Sequence, residues 1–256
     1  MSAATSIHDI STILRSFQPI DLKGMDAIRL LNRVDTKAYM HLDKLPALLE
    51  AVRDDYSVLT VNDIQLAAYD SLYFDTPDLD LYMRHHNKQL NRYKIRYRNY
   101  VESNLTFFEV KFKSNKGRTI KKRIVVPKIE KAFGEKAQGL LEDYPTLTAL
   151  NLQPKLRIFF RRMTLAHKNF EERATIDVGL SFESDGQKVD YQHLVICEVK
   201  QGRFNRNAPL IRALKDIGII PKRISKYCTG IISCNAGIKS NRFQHKMMQL
   251  QKIENS

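Results

Sequence analysis

Between residues 92 and 98 the chain has a cation at every second position, and the cations alternate with apolar or aromatic residues. Successive side chains of a β-strand point to opposite faces, so this segment predicts a strand with one cationic and one apolar face. Like charges about 7 Å apart repel one another, so the row favours a cavity that binds an anion over a solvated face of mixed sign. The cations of this row are Arg92, Lys94, Arg96 and Arg98.

Positive charge is concentrated around this strand. Residues 84–131 contain fifteen basic and three acidic residues, which is most of the imbalance behind the net charge of +14. Such a field indicates a polyanionic partner: a nucleic acid, an anionic membrane or a phosphate-rich small molecule. A basic surface that is merely solvated is the alternative. The hydrophobic share of 43% excludes a disordered polycation.

The order of elements predicts one α+β domain over residues 1–256, with a core at about 28–235 and a polar C-terminal tail at 239–256 that frays. Eight to ten strands are expected, including 90–100, 105–113 and 118–126 at hairpin spacing. Strands and helices do not alternate regularly, so the sheet should be antiparallel. No segment is long and apolar enough for a membrane helix, and there is no signal-peptide pattern. Three cysteines without metal-ligand spacing predict a reducing, cytoplasmic environment.

Several other strands share the pattern of one charged and one apolar face. Two architectures fit it: a barrel with charges outside and an apolar interior, or a barrel with charges inside and helices covering the outside. Carboxylates occur on the same faces, and divalent cations commonly link carboxylate to phosphate. We expect Glu109 to be an ion-pair partner of a cation, and the neighbouring His85 and His86 to lie on the surface. The carboxylates are Asp35, Glu109, Asp177 and Glu198.

Eight short segments, in this order between about residues 30 and 230, resemble the VTC (vacuolar transporter chaperone) domain. This family is the polyphosphate polymerase branch of the triphosphate tunnel metalloenzymes, and the chain is most similar to its bacterial stand-alone members. The segments are RVDTKAY at 33–39, SLYFDT at 71–76, RYKIRYR at 92–98, FEVK at 108–111, GR at 117–118 with KKR at 121–123, RATID at 173–177, EVK at 198–200 and SKY at 225–227.

The resemblance implies an antiparallel eight-stranded β-barrel tunnel with flanking helices, in which a triphosphate binds with Mn²⁺ or Mg²⁺. The residues expected to act on the reacting phosphates are Lys37, Arg96, Arg98, Lys111, Lys122, Arg161, Arg173, Lys200 and Lys226. Further phosphate contacts are expected from Arg33, Lys94, Lys113, Lys121, Arg123, Arg223 and Ser225. Glu198 is the expected metal ligand, and Asp177 is either a second ligand or a partner of Arg173. The Lys121–Lys122 doublet leaves open which lysine lines the tunnel.

One departure from the family pattern bears on the activity. Many tunnel enzymes carry alternating glutamates before the first tunnel lysine, whereas this chain has Arg33 and Asp35 there. The loss of one carboxylate favours a polymerase over a two-metal triphosphatase.

The resemblance therefore implies a metal-dependent phosphotransferase that uses ATP to synthesise polyphosphate. The alternatives are an inorganic or nucleoside triphosphatase, and a non-catalytic protein that binds polyphosphate or inositol phosphates. A nucleic-acid partner is not expected: there is no recognition motif, and the aromatic residues lie on the strand face opposite the cations, where they cannot form a shared stacking platform.

Overall fold

The computed structural model describes residues 5–26, 33–169 and 171–256. Its strands are β1 (Gln18–Ile20), β2 (Val34–His41), β3 (Tyr56–Leu59), β4 (Ala67–Asp75), β5 (Arg92–Tyr100), β6 (Leu105–Lys113), β7 (Thr119–Val126), β8 (Gln153–His167), β9 (Glu172–Ser184), β10 (Gln187–Tyr191) and β11 (Leu194–Gln201). Its helices are α1 (Ile7–Leu14), α2 (Leu22–Asp26), α3 (Leu45–Val52), α4 (Asp80–His86), α5 (Glu135–Glu142), α6 (Pro145–Thr148), α7 (Pro209–Asp216), α8 (Lys226–Cys234) and α9 (Gln244–Glu254). Short 3-10 turns cover Leu42–Lys44, Val101–Ser103 and Asn241–Phe243.

All these strands belong to one sheet, whose main path runs β2-β11-β9-β8-β4-β5-β6-β7. Every pair along this path is antiparallel, which confirms the predicted class. The path has the expected eight strands, but its end strands β2 and β7 form no ladder with each other within the described residues, so the barrel is not closed by hydrogen bonds.

Helices cover the outer face of the sheet on both sides. Helix α3 places Leu45, Leu48, Leu49 and Val52 on one side at helical spacing, and these residues pack with α1 and α7 against β2, β8, β9 and β11. Helices α5 and α6 cover the apolar residues of β5 and β6 in a second cluster. The apolar strand faces therefore point outward under helices, and this decides between the two architectures: the charges lie inside.

Helix α8 packs against the apolar part of the inner face. Ser225 caps it by accepting a hydrogen bond from the Cys228 backbone N–H at 3.3 Å. Gly230 allows the close approach, because a Cβ there would lie 2.5 Å from Phe182 Cδ1 and 2.8 Å from Leu156 Cδ2. The apolar part of the inner face is thus filled by α8, and the charged part is left accessible.

The C-terminal segment does not fray as predicted. It forms α9, which buries Met247 and Leu250, and Tyr39 Oη donates to Gln249 Oε1 at 2.5 Å. Two apolar side chains are enough to anchor α9, because they pack on the buried apolar residues of the inner face and of α8. The expectation of surface histidines was also wrong for His86, which is buried beside the ring of Phe243. Among the described residues, no helix combines the length and apolarity needed to cross a membrane.

Candidate phosphate-binding site

Strands β5, β6 and β7 carry charged residues in rows across the inner face. Lys94 lies opposite Lys111, and Lys111 lies opposite Lys121. Residues paired in this way project to the same face, so the three lysines form one row. The pKa of Lys111 is lowered, first by burial and then by Lys37 of β2. The sheet therefore curls far enough to bring its two end regions into electrostatic contact.

Glu109 lies in the next row and pairs with two cations. Arg96 Nε donates to Glu109 Oε2 at 2.7 Å, and Lys121 Nζ contacts Glu109 Oε1. Burial would raise the pKa of Glu109, but Arg96 and Arg98 hold it well below its usual range. The predicted ion-pair role of Glu109 is confirmed. Lys121, and not Lys122, shares the inner face with Arg96.

Arg98 is a buried cation without an ion pair among the described residues. Its side chain donates a hydrogen bond to Ser71 Oγ at 3.2 Å and lies near the rings of Tyr69 and Phe160. The residue is 8% exposed. Its pKa is lowered, first by burial and then by Arg96. A buried guanidinium in this state is suited to an anionic ligand, because a ligand can supply the negative charge that the fold does not.

Asp177 is fully engaged by cations of the fold. Arg162 binds it through two hydrogen bonds of 2.5 and 2.8 Å, and Lys226 Nζ contacts Oδ2. Burial would raise the pKa of Asp177, but Arg162 and Lys226 hold it well below its usual range. The Asp177 side chain is 3% exposed and has Arg162 and Lys226 as its partners, so its predicted role as a second metal ligand stays a prediction. The expected partner, Arg173, is replaced by Arg162.

Arg161 was also wrongly predicted to line the site. It is exposed on the outer face, opposite Ala68, whereas Arg162 pairs in register with Asp177 on the inner face. The β8–β9 register shifts between Phe159 and Arg161. In the sequence, Arg162 continues the apolar row of Ile158 and Phe160, which resembles a packed face. Helix α8 covers that row and leaves Arg162 at its end.

A third cluster joins β2 and β11. Glu198 lies 3.3 Å from Lys37 and 3.2 Å from Lys200. Burial would raise the pKa of Glu198, but Lys200 and Lys37 hold it well below its usual range. Arg173 of β9 pairs in register with Lys200 and so projects to the same face. Four of the predicted residues are therefore brought together here.

Two predicted residues at the start of α8 reach the same site. Lys94 Nζ donates to Ser225 Oγ at 2.7 Å, and Lys226 contacts Asp177 as described. Burial lowers the pKa of Lys94 and of Lys226 to about 8, and the same cause lowers the pKa of Lys121 to about 8. These lysines lie where positive charge is costly, which an anion would relieve.

The remaining predicted residues lie at the edge of the site or outside it. Lys113 lies opposite Arg92, and Arg123 lies opposite Glu109, both on the inner face. Arg33 and Arg223 are exposed outside the strands. Arg33 Nε donates to Asp35 at 3.1 Å. Lys122 points to the opposite face and pairs with Asp143 at 2.9 Å, so its predicted tunnel role is wrong. From the alternation of side chains alone, either Lys121 or Lys122 could face the site. The β6–β7 register places Lys121 on the inner face, opposite Lys111.

Sequence reasoning missed Tyr73. Its hydroxyl accepts a hydrogen bond from Arg96 Nη1 at 2.5 Å, and its ring stacks on Tyr227. Burial would raise the pKa of Tyr73, but Arg96, Arg98 and Lys94 lower it to about 7. The available signal was the pairing of β4 with β5, which sets Tyr73 opposite Arg96. That pairing cannot be read from one strand alone.

The carboxylates of the site fit a metal only where phosphate oxygens complete the ligand set. No group of three or more His, Cys, Asp or Glu with metal-binding geometry occurs in the described ranges. Glu198 is ionised, and its side chain is 20% exposed, in contrast to buried Glu109 and Asp177. Mg²⁺ is commonly held by one or two carboxylates together with substrate phosphates, and Glu198 fits that role.

The lowered lysine pKa values predict that the ligand-free protein gains stability from pH 7 to pH 9. Lys94, Lys121 and Lys226 release protons near pH 8 when folded, but near 10.5 when unfolded. The unfolded chain therefore binds more protons in this range, and stability rises with pH. Tyr73 acts in the same direction. The predicted rise ends near pH 9. There the cysteines of the unfolded chain lose their protons while buried Cys197 keeps its own, and this lowers stability as the pH rises further.

Urea unfolding at pH 7, 8 and 9 measures this dependence. Bound tripolyphosphate should reduce the rise, because the anion keeps the lysines protonated. Lys94→Met should reduce it as well. A stability that falls from pH 7 to pH 9 in the ligand-free protein would contradict the assignment of these lysines.

Comparison with known proteins adds two findings. A family model described as the VTC domain matches residues 32–235. The structure of HpAC1 from Hippeastrum, described as revealing a dominant triphosphatase activity, is 14% identical with a TM-score of 0.50 and covers 80% of this chain and 99% of that one. This likeness shows the fold.

Two further solved structures are more distant. The PH1819 protein of Pyrococcus horikoshii OT3 is 16% identical with a TM-score of 0.43, covering 75% of this chain and 92% of that one. The Pct1 RNA triphosphatase of S. pombe is 13% identical with a TM-score of 0.31, covering 88% and 76%. No curated protein matches the sequence significantly.

Proposed function

The chain belongs to the VTC domain family, and we propose that it is a metal-dependent phosphotransferase that uses ATP to synthesise polyphosphate. One observation carries this proposal: Arg98 is buried on the inner face without an ion pair among the described residues, in a cluster where cations outnumber carboxylates. Such a cluster is stabilised by a polyanion that enters it.

The spread of the cations supports a chain of phosphates as the ligand. From Lys94 to Arg98 the strand advances about 14 Å at its usual rise per residue, which is longer than a single phosphate group. Lys37, Lys200 and Arg173 form the facing part of the site from β2, β11 and β9. A triphosphate or a polyphosphate end would contact both parts at once.

In the proposed reaction, a terminal phosphate oxygen of the acceptor attacks the γ-phosphorus of ATP in line, the bond to the β–γ bridging oxygen breaks, and ADP leaves. Arg96, Arg98 and Lys111 would neutralise charge on the transferred group, and Lys226 with Ser225 would contact the terminal phosphate. Positioning and charge neutralisation suffice for this chemistry. A bound Mn²⁺ or Mg²⁺, held by Glu198 with phosphate oxygens, would supply further charge neutralisation.

A triphosphatase is the second candidate. The fold shared with HpAC1, whose described activity is triphosphatase, favours it. Water would then attack the terminal phosphorus in the same site, and the same cations would neutralise the charge on the phosphate. The proposed partners in both cases are ATP or another triphosphate, with polyphosphate as product or acceptor in the first case only.

Incubation of the purified protein with ATP and Mn²⁺, followed by separation of the phosphate products, tests the proposal. We expect ADP and polyphosphate chains. Glu198→Gln should strongly reduce the yield and weaken its dependence on Mn²⁺. Orthophosphate as the sole phosphate product would replace the polymerase with the triphosphatase. Binding of polyphosphate without any turnover, read as a rise in melting temperature, would exclude both enzymes and indicate a binding protein.

A further inference from the structure

A separate cavity lies on the outer side of the sheet, where β8, β9 and β11 meet the start of α7. Its volume is about 540 Å³, and its lining includes His167, Glu172, Gln201 and Phe204. Glu172 and Gln201 pair in register, next to Arg173 and Lys200 along their strands. Because successive strand residues point to opposite faces, this cavity and the phosphate-binding site lie on opposite sides of the same strands. Its volume is in the range of small-molecule sites.

Glu172 is a buried acidic residue in the lining of this cavity. It is 2% exposed, and Gln201 Nε2 donates to its Oε2 at 2.6 Å. Its other oxygen, Oε1, has no hydrogen-bond partner among the described residues. A buried carboxylate oxygen without a donor is unfavourable, since the interaction with water is lost and nothing replaces it. A donor from a ligand would remove this deficit.

The charge around Glu172 favours a cationic donor. Glu171 lines the same cavity and is exposed. Asp55 acts on Glu172 electrostatically. Arg203 and His167 also belong to the lining. Burial, and to a lesser extent Asp55, raises the pKa of Glu172 to about 6. The carboxyl group is thus mainly ionised at neutral pH. The cavity is a locally acidic place on a chain of net charge +14.

An aromatic residue forms part of the cavity wall. Phe204 is 53% exposed although it is large and apolar. It lines the cavity together with Ala208 and Pro209. An aromatic ring and apolar walls beside a buried carboxylate are the combination that binds organic ammonium groups, because the ring attracts the cation and the walls cover its carbon chain.

We propose that this cavity binds a small organic molecule that carries an ammonium group, with Glu172 as the counter-ion, the ring of Phe204 attracting the cation, and Ala208 and Pro209 covering the carbon chain. The site does not depend on the proposed function, because it uses none of the residues of the phosphate-binding face.

Calorimetric titration of the full chain with putrescine at pH 7.5, in phosphate-free buffer, tests the proposal. We expect saturable binding, and none with 1,4-butanediol, which has the same length but no charge. Glu172→Gln should weaken putrescine binding by at least about tenfold, the loss expected for a buried charge-assisted hydrogen bond. Glu171→Gln, at the exposed rim, should change it by less than about threefold.

Phe204→Ala provides a second test, independent of whether Glu172→Gln folds. This variant should fold normally, because an exposed ring contributes little to stability. It should weaken putrescine binding by about threefold or more, the range of a cation–π contact. Binding should also weaken below pH 6 as Glu172 takes up a proton. No saturable binding, equal binding of butanediol, or undiminished binding by a folded Glu172→Gln variant would overturn the proposal.

Discussion

Replacement of Arg98 by methionine is expected to reduce kcat/KM for ATP by about 10²- to 10³-fold, the usual cost of removing one preorganised group that stabilises developing charge. The folded state should not lose stability. Arg98 forms no ion pair among the described residues, so its removal leaves no buried carboxylate uncompensated. Methionine fills a similar volume beside Tyr69 and Phe160 without a buried charge.

Arg161→Met is the matched control for Arg98→Met. It removes a guanidinium from the same sheet, but from an exposed position on the outer face. We expect kcat/KM within about twofold of the wild-type value, as for a surface substitution. Both variants are to be compared by steady-state kinetics and by tripolyphosphate binding. Full activity of a folded Arg98→Met variant, or an equal loss in Arg161→Met, would contradict the assignment of the inner face as the phosphate site.

Replacement of Asp177 by alanine is expected to lower the free energy of unfolding by about 3–5 kcal/mol. Asp177 compensates two cations, Arg162 and Lys226, in a place where its own side chain is 3% exposed. Removing one partner of a buried ion pair leaves the other charge uncompensated, and this accounts for the size of the loss. Urea unfolding at pH 7 measures it as a lower midpoint.

The control for Asp177→Ala is Asp143→Ala. Asp143 pairs with Lys122 at 2.9 Å, but both side chains are exposed. Exposed ion pairs contribute little, so the loss should stay below about 1 kcal/mol. A loss of similar size in both variants would mean that the Asp177 cluster is solvated rather than buried.

The class of the fold was predictable because it rests on local patterns. Strands β5, β6 and β7 begin and end within two residues of their predicted bounds. Their alternation of charged and apolar residues also predicted which residues share a face. Glu109, Lys111 and Lys121 therefore lie in rows with the cations of β5, as the register shows.

Errors arose where the outcome depended on distant residues. Arg161 and Arg162 are adjacent, and the shift of register between β8 and β9 together with the cover of α8 decides that Arg162 faces Asp177. Arg173 was predicted as a partner of Asp177 because the sequence does not show that Lys226, 49 positions away, reaches this carboxylate. The polar tail became α9 because an apolar cluster elsewhere in the chain offered it a surface.

The sequence by itself determined that the strands have one cationic and one apolar face, because period-two alternation is a property of each strand alone. It also determined the concentration of positive charge in residues 84–131. The tertiary structure decided that the cationic faces point inward, which cation of each doublet enters the site, and which carboxylates are already neutralised. These outcomes depend on pairing between strands and on the helices that cover them. The resulting burial leaves Arg98 without a compensating negative charge among the described residues, and a bound anion would supply that charge.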